Sequence, residues 1–199
     1  RNYFCCLNSM RKTKIPFSKS GYLNKLLTDY FSGDEKLTPF YSLSPSLSSL
    51  EKMIEMKSLQ PIDRKILQSV LEKQYAGIEL TQAEKKNISL LSSSITFTVT
   101  TAHQPNLFLG PLYFIIKTVS AINLAKEFKK HLPQYDFIPM FWLGSEDHDV
   151  AELNHIHLFG KKLEWNPNQA GAFGRMKTES LKNVLNELKI IGCNSPYEN

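Results

Sequence analysis

Residues 95–154, ITFTVTTAHQPNLFLGPLYFIIKTVSAINLAKEFKKHLPQYDFIPMFWLGSEDHDVAELN, decide the fold. From Ile95 to Thr100, β-branched and aromatic residues alternate with a period of two, which predicts a strand ending in the polar turn Thr101 to Asn106. Gly110 and Pro111 then open a helix, with the proline at its first position and with Leu112, Ile115, Val119 and Ile122 as its expected buried face. Tyr113, Lys117 and Ser120 fall together on the flank of that face. His131, Leu132 and Pro133 close the helix. The run from Phe137 to Leu143 is almost wholly apolar, as suits a parallel strand covered on both sides. Pro139 is expected to leave the first residues of that strand outside the full ladder. Strand, helix and strand in this order form a βαβ unit with a right-handed crossover, so the fold class is α/β.

Working outward, IHLFGKKLEW at 156–165 predicts a hairpin turning at Gly160-Lys161, with Leu163 and Trp165 facing inward. The polar loop NPNQAGAFGR follows at 166–175. A last amphipathic helix runs from Thr178 to Ile191, with Leu181, Val184, Leu185 and Leu188 inward and Gly192 as its stop. Upstream, residues 10–92 form a mainly helical segment expected to pack on the sheet. Leu23, Leu26, Leu27, Tyr30 and Phe31 have helical spacing, with Ser20 as cap and Gly33 as stop. After a proline- and serine-marked connection, Leu47, Leu50, Met53 and Ile54 suggest a short helix. Pro61 marks the first turn of the next one, which ends before Gly77, and Thr81 with Glu84 forms a capping box for another.

Composition excludes several classes. The chain has 199 residues and a net charge of +5 that is spread rather than gathered in a block, which argues against a nucleic-acid footprint. No apolar run approaches the roughly 20 residues that cross a bilayer, because Lys117 and Pro139 interrupt the longest candidates. Cys5, Cys6 and Cys193 contain no CxxC, so neither a disulfide framework nor a zinc site is indicated, and a reducing compartment fits. No secretory signal is visible. Met10 reads as a start, which makes residues 1–9 an upstream extension.

In open α/β sheets, ligands collect beyond the carboxyl ends of parallel strands, and two polar clusters fall there. The first is His103, Gln104 and Asn106, followed by Gly110 at a helix N-terminus where free N–H groups suit a phosphate or carboxylate. Lys117, about two turns along, can lean back toward the same anion. The second cluster is Glu146, Asp147, His148 and Asp149. Its crowded carboxylates are expected to raise one another's pKa and to hold His148 protonated, an arrangement suited to taking a proton from an amine or thiol. A bland alternative is a solvated helix start, because Asp149 and Glu152 have capping-box spacing. Asn154, which ends this segment, and Arg175, a forked guanidinium in the glycine loop, complete the candidate substrate- or anion-binding set. His148 and Glu152 are four apart, and His155 and His157 follow, but HExxH is missing and no metal is assigned. Neither GxGxxG nor a P-loop is present, so no cofactor is named by the sequence.

At these residues the chain resembles a known family. TTAHQPNLFLGPLYFIIK and FIPMFWLGSEDHDVAELNHIHLFGKKLEWN strongly resemble the bacillithiol biosynthesis cysteine-adding enzymes of the BshC family, and KIPFSKSGYLNKLLTDYFSGDEKLTPFY resembles their opening segment. The resemblance covers nearly all of the chain from Met10 to Leu188, and Ala102 stands where the family's usual turn has glycine. It implies a Rossmann-like core, of which residues 93–199 would be the first part with a hairpin insertion, and a C-terminal coiled coil supporting a homodimer of the full-length protein. It also implies a cytoplasmic ligase that joins cysteine to glucosaminyl-malate, with ATP an open question. By position, the family's histidine-glutamine turn corresponds to His103 and Gln104, its GPLY helix start to Gly110 through Tyr113, and its acidic motif to Glu146 through Asp149. The competing expectation is a nucleotide- or sugar-phosphate-binding module without chemistry, or an inactive truncated remnant. Because only two parallel strands are visible, the chain is expected to be inactive alone. Trp142, Leu143 and the helix face bearing Ile115 and Val119 would then be covered on one side only.

Overall fold

The structure, a computed structural model, describes residues 13–192. Expectations for Cys5, Cys6, Cys193, Met10 and residues 1–9 lie outside the described residues. The chain divides into two compact units at Gln60 and Pro61, so the two helices following Pro61 belong with the sheet.

The first unit holds α1 (Phe17–Ser20), α2 (Lys25–Ser32) and α3 (Leu50–Ser58), with 3-10 turns at Glu35–Phe40 and Leu47–Ser49. Asn24, not Ser20, caps α2: its side chain accepts from Leu27 N at 3.0 Å, while Ser20 Oγ turns back to Phe17 O. Gly33 ends α2 at φ 75°, as expected. Leu50 and Ile54 are the buried pair of α3.

In the second unit, α4 (Arg64–Gln74) starts later than Pro61 suggests. Asp63 takes the cap, accepting from Ile66 N at 3.0 Å, and a side-chain acceptor satisfies an N–H that proline cannot serve. The helix α5 (Gln82–Leu90) carries both bonds of the Thr81–Glu84 capping box.

The strands β1 (Thr96–His103) and β2 (Asp136–Leu143) pair in parallel, from Thr96 opposite Asp136 to His103 opposite Leu143. Pro139 sits inside this ladder opposite Val99, contrary to expectation. The hydrogen-bond phase explains why. Asp136 N donates to Ile95 O at 3.0 Å and Gly144 N to His103 O at 2.9 Å, so the even-numbered residues of β2 face β1. The missing N–H of Pro139 therefore points to the outer edge, where it costs the pairing nothing. The same phase turns the even-numbered carbonyls of β1 outward, and two cations meet them: Arg64 Nη1 on Thr96 O at 2.8 Å and Lys117 Nζ on Ala102 O at 2.6 Å.

The crossover helix α6 (Leu112–His131) packs on both strands. Its packed stripe is Phe114, Thr118, Ala121, Ala125 and Phe128, with both alanines buried, rather than Leu112, Ile115, Val119 and Ile122. Phe114 meets Phe141 at 5.3 Å and Phe128 meets Phe137 at 5.4 Å, edge to face. Small alanines between the two aromatics let the helix approach the sheet closely. Because α6 is apolar around most of its girth, hydrophobicity alone does not choose its face. Val119 and Trp142 remain 47% and 63% exposed, and Ile115 and Leu143 are exposed as well.

Beyond β2, α7 (Val150–Leu153) leads into the hairpin β3 (His155–Leu158) and β4 (Lys161–Glu164). Leu158 pairs with Lys161, so the turn is Phe159-Gly160 and not Gly160-Lys161. Both turn residues have positive φ, 49° and 77°, as a two-residue hairpin of this hand requires. Leu163 and Trp165 face inward as expected, in a core with Leu107, Leu153, Phe173, Met176 and Val184. The last helix, α8 (Leu181–Gly192), adds Val184 to that core, with Leu181 and Leu188 packed at its margin and Leu185 left exposed.

Candidate functional site

Parallel pairing places the carboxyl ends of β1 and β2 side by side, and the two polar clusters with them. Gln104 Nε2 donates to Asp147 Oδ2 at 3.1 Å, and Gly144 N closes the floor on His103 O. Around the end of β1, His103 Nε2 lies 2.7 Å from Tyr113 Oη, and its Nδ1 lies 2.6 Å from Asn106 Nδ2. Lys117 Nζ, on the Ala102 carbonyl, stands 6.0 Å from the Tyr113 ring centre. His103, Gln104, Asn106, Gly110, Tyr113 and Lys117 are thus grouped around the end of β1, and the acidic loop adjoins them through the Gln104–Asp147 bond.

The acidic loop is more ordered by its own hydrogen bonds than a row of repelling carboxylates would be. Asp147 Oδ1 accepts from Asp149 N at 2.9 Å, and this bond, followed by the one from Gln104, holds the Asp147 carboxyl below its ordinary pKa. The expected upward shift is therefore corrected for Asp147, because donors aimed at its carboxylate outweigh the neighbouring charge. Asp149 caps α7 by accepting from Glu152 N at 3.3 Å. Glu146 and His148 are exposed and, among the described residues, make no side-chain hydrogen bond. Two members of the cluster thus shape the loop, and the side chains of the other two stay exposed.

Arg175 is brought to this loop through its neighbours. Phe173 N donates to Asp147 O at 2.7 Å and Gly174 N to Ser145 O at 3.1 Å. A Cβ on Gly174 would lie 2.6 Å from Ser145 Cβ, so only glycine allows this approach. Gly174, Ser145 and Gly144 were not singled out from the sequence, where a lone glycine in a polar loop has many readings. Asn154 is not free for a ligand in the same way. It is 7% exposed, and its Nδ2 donates to Trp165 O at 2.9 Å, which fastens α7 to the hairpin. His155 and His157 share one face of β3, with ring centres 5.4 Å apart.

Residues 10–197 match the family described as bacillithiol biosynthesis BshC, N-terminal Rossmann-like domain. Relatives named "Putative cysteine ligase BshC" come from several bacteria. The chain is 46% identical to the Flavobacterium psychrophilum protein over 178 residues, covering 88% of this chain and 34% of that protein. It is 42% identical to the Cytophaga hutchinsonii protein, covering 89% and 34%, and 38% identical to the Chlorobaculum tepidum protein, covering 73% and 27%. The chain spans about a third of the length of the first two of these relatives. The match runs through both polar clusters and the βαβ unit that juxtaposes them, and the chain belongs to the BshC family, whose N-terminal Rossmann-like domain it carries.

Proposed function

We propose that the protein of which this chain is the N-terminal domain is a cytoplasmic ligase of bacillithiol biosynthesis that joins the cysteine carboxyl to the amine of glucosaminyl-malate. The observation that carries this reading is the Gln104–Asp147 bond, which joins the proposed anion-binding cluster to the proposed acid-base loop. Amide formation requires the ammonium to lose a proton and one carboxyl oxygen to leave on an activating group. His148 suits the first task better than Asp147, because its side chain is exposed while both Asp147 oxygens are engaged and the basicity of Asp147 is reduced. Lys117, His103 and Tyr113 offer cationic and polar groups to a carboxylate, and Arg175 lies on the loop facing them. ATP is the candidate for the activating group. The full-length protein is proposed to work as a homodimer. His148→Ala in the full-length protein should abolish product formed from cysteine and glucosaminyl-malate, followed by mass spectrometry. Undiminished product would remove His148 from the chemistry.

A second reading is a binding module without turnover. Pro111 supplies α6 with no side-chain cap, and while Phe114 N bonds Pro111 O, the Leu112 and Tyr113 N–H groups remain open to an anion. It predicts thermal stabilisation by nucleotides or sugar phosphates with no product. Stabilisation that survives Lys117→Ala unchanged would exclude this place as the anion site.

A further inference from the structure

We infer that Asn106 is a positioning residue that locks His103 in one tautomer, so that Tyr113 presents its hydroxyl proton to an anionic oxygen of the ligand. In the reading above, on which this ligand assignment rests, that oxygen belongs to the malate carboxylates. The argument begins with the amide. Asn106 Nδ2 lies 2.9 Å from Gln104 O and 2.6 Å from His103 Nδ1. Gln104 O can only accept, which identifies the Asn106 atom facing it as the NH2 group. Reversing the amide would set its oxygen against that carbonyl. His103 Nδ1 also lies 3.1 Å from Gln104 O, a contact that a proton on Nδ1 would serve, but the Asn106 NH2 group is nearer at 2.6 Å, and its second proton can bond Nδ1 only if that nitrogen carries a lone pair. Neutral His103 then has its proton on Nε2, 2.7 Å from Tyr113 Oη, which accepts it. The Tyr113 hydroxyl proton is left over, with no acceptor among the described residues. A phenol that accepts from an imidazole N–H is polarised to donate its own proton more strongly, and Lys117 Nζ near its ring adds positive charge at the same spot.

The backbone holds this arrangement at a conformational cost. Phe108 and Leu109, neither of them glycine, have φ of 48° and 68°, and Gly110 follows at 59°. This turn lays Gly110 against Asn106 so closely that a Cβ there would sit 2.6 Å from Asn106 Cβ and 2.8 Å from its Cγ. Glycine at this position therefore leaves the space that the Asn106 amide occupies, with Oδ1 on the Gly110 side. Left-handed residues of this kind persist where surrounding structure holds them, and they concentrate at ligand sites.

The test reads the tautomer directly. Histidine-labelled chain at alkaline pH is examined by long-range proton–nitrogen NMR, with His103 assigned through His103→Gln. Wild type should show the Nε2–H pattern. Asn106→Asp, whose carboxylate only accepts, should convert it to Nδ1–H. A wild-type Nδ1–H pattern, or no change in Asn106→Asp, overturns the positioning role. Malate titration of the same samples reads the ligand step. Tyr113→Phe and Asn106→Asp should each weaken malate binding about tenfold, as loss of one charge-assisted hydrogen bond does. Malate that does not bind the wild type, or that binds Tyr113→Phe equally well, overturns the donor assignment. Full-length protein without ligase activity, alongside the expected tautomer and malate results, would refute the proposed reaction while leaving the relay standing.

Discussion

Gln104 Nε2 donates to Asp147 Oδ2 across 3.1 Å, joining residues 43 apart in the chain at the carboxyl ends of two parallel strands. The bond exists because the register sets His103 opposite Leu143, so the residues just past each strand emerge together. It also divides labour within the acidic loop. Asp147 becomes a structural anion, and the neighbouring His148 and Glu146 keep their side chains for solvent or ligand.

Acid should therefore loosen this join between the two clusters late. The Asp147 carboxyl is held below its ordinary value chiefly by the Asp149 N–H and then by Gln104. A depressed folded-state pKa adds stability that is complete above the unfolded value, about 3.9, and is lost as pH falls through the folded value. Carboxyl NMR titration should place Asp147 below that value in the wild type. In Gln104→Leu it should move upward only part of the way, because the Asp149 bond remains. An Asp147 midpoint at or above the ordinary value in the wild type would contradict the geometry.

Gly174→Ala should separate the two loops. The added methyl meets Ser145 Cβ at 2.6 Å and Ser145 O at 2.9 Å, and the second of these is backbone that cannot swing aside. Overpacking of this kind costs about 1–3 kcal/mol, visible as a lower urea midpoint. The Phe173 N–H to Asp147 O bond should weaken with it, which amide hydrogen exchange at Phe173 would report as faster exchange. An unchanged midpoint and unchanged exchange would mean that the contact is looser than it stands here.

The βαβ unit and both polar clusters were legible because their signals are long. Eight residues of β1 and eight of β2 carry strand patterns, and parallel pairing then forces the two clusters together. What escaped notice was decided by competition between near-equal local options. Asp63 outcompeted Pro61 for the start of α4, and Phe159 took the first position of the hairpin turn although glycine was available for only one of the two. The turn at Phe108 and Leu109 carries no glycine or asparagine to announce positive φ, so the close approach of Gly110 to Asn106 was not visible in the string.

Thr96→Val should stabilise the fold. Thr96 is 1% exposed at the start of β1, and its Oγ1 has no hydrogen-bond partner among the described residues. Valine keeps the shape and the β-branch while removing an unpaired hydroxyl whose burial costs about 1–3 kcal/mol. A gain in urea midpoint is expected for Thr96→Val and a loss for Thr96→Ser, which keeps the hydroxyl and deletes the methyl. A destabilised Thr96→Val would show that the hydroxyl has a partner after all.

The two faces of α6 should respond oppositely to substitution. Ala121 and Ala125 are buried where the helix meets the sheet, while Val119 is 47% exposed two positions from Ala121. Ala121→Leu forces extra methylenes between α6 and the strands and should cost about 1–3 kcal/mol. Val119→Lys changes a half-exposed side chain outside the packed stripe and should change stability by less than about 0.5 kcal/mol. It should instead reduce self-association, because Ile115, Ile116, Val119 and Ile122 form a line of exposed apolar side chains on one helix, and contiguous apolar surface drives association in water. Urea unfolding of the two variants and light scattering over a concentration series measure both effects. If Val119→Lys unfolds the chain while Ala121→Leu is tolerated, the packed stripe of α6 is the one that its hydrophobic spacing first suggested, and the sheet is covered by a different face of the helix.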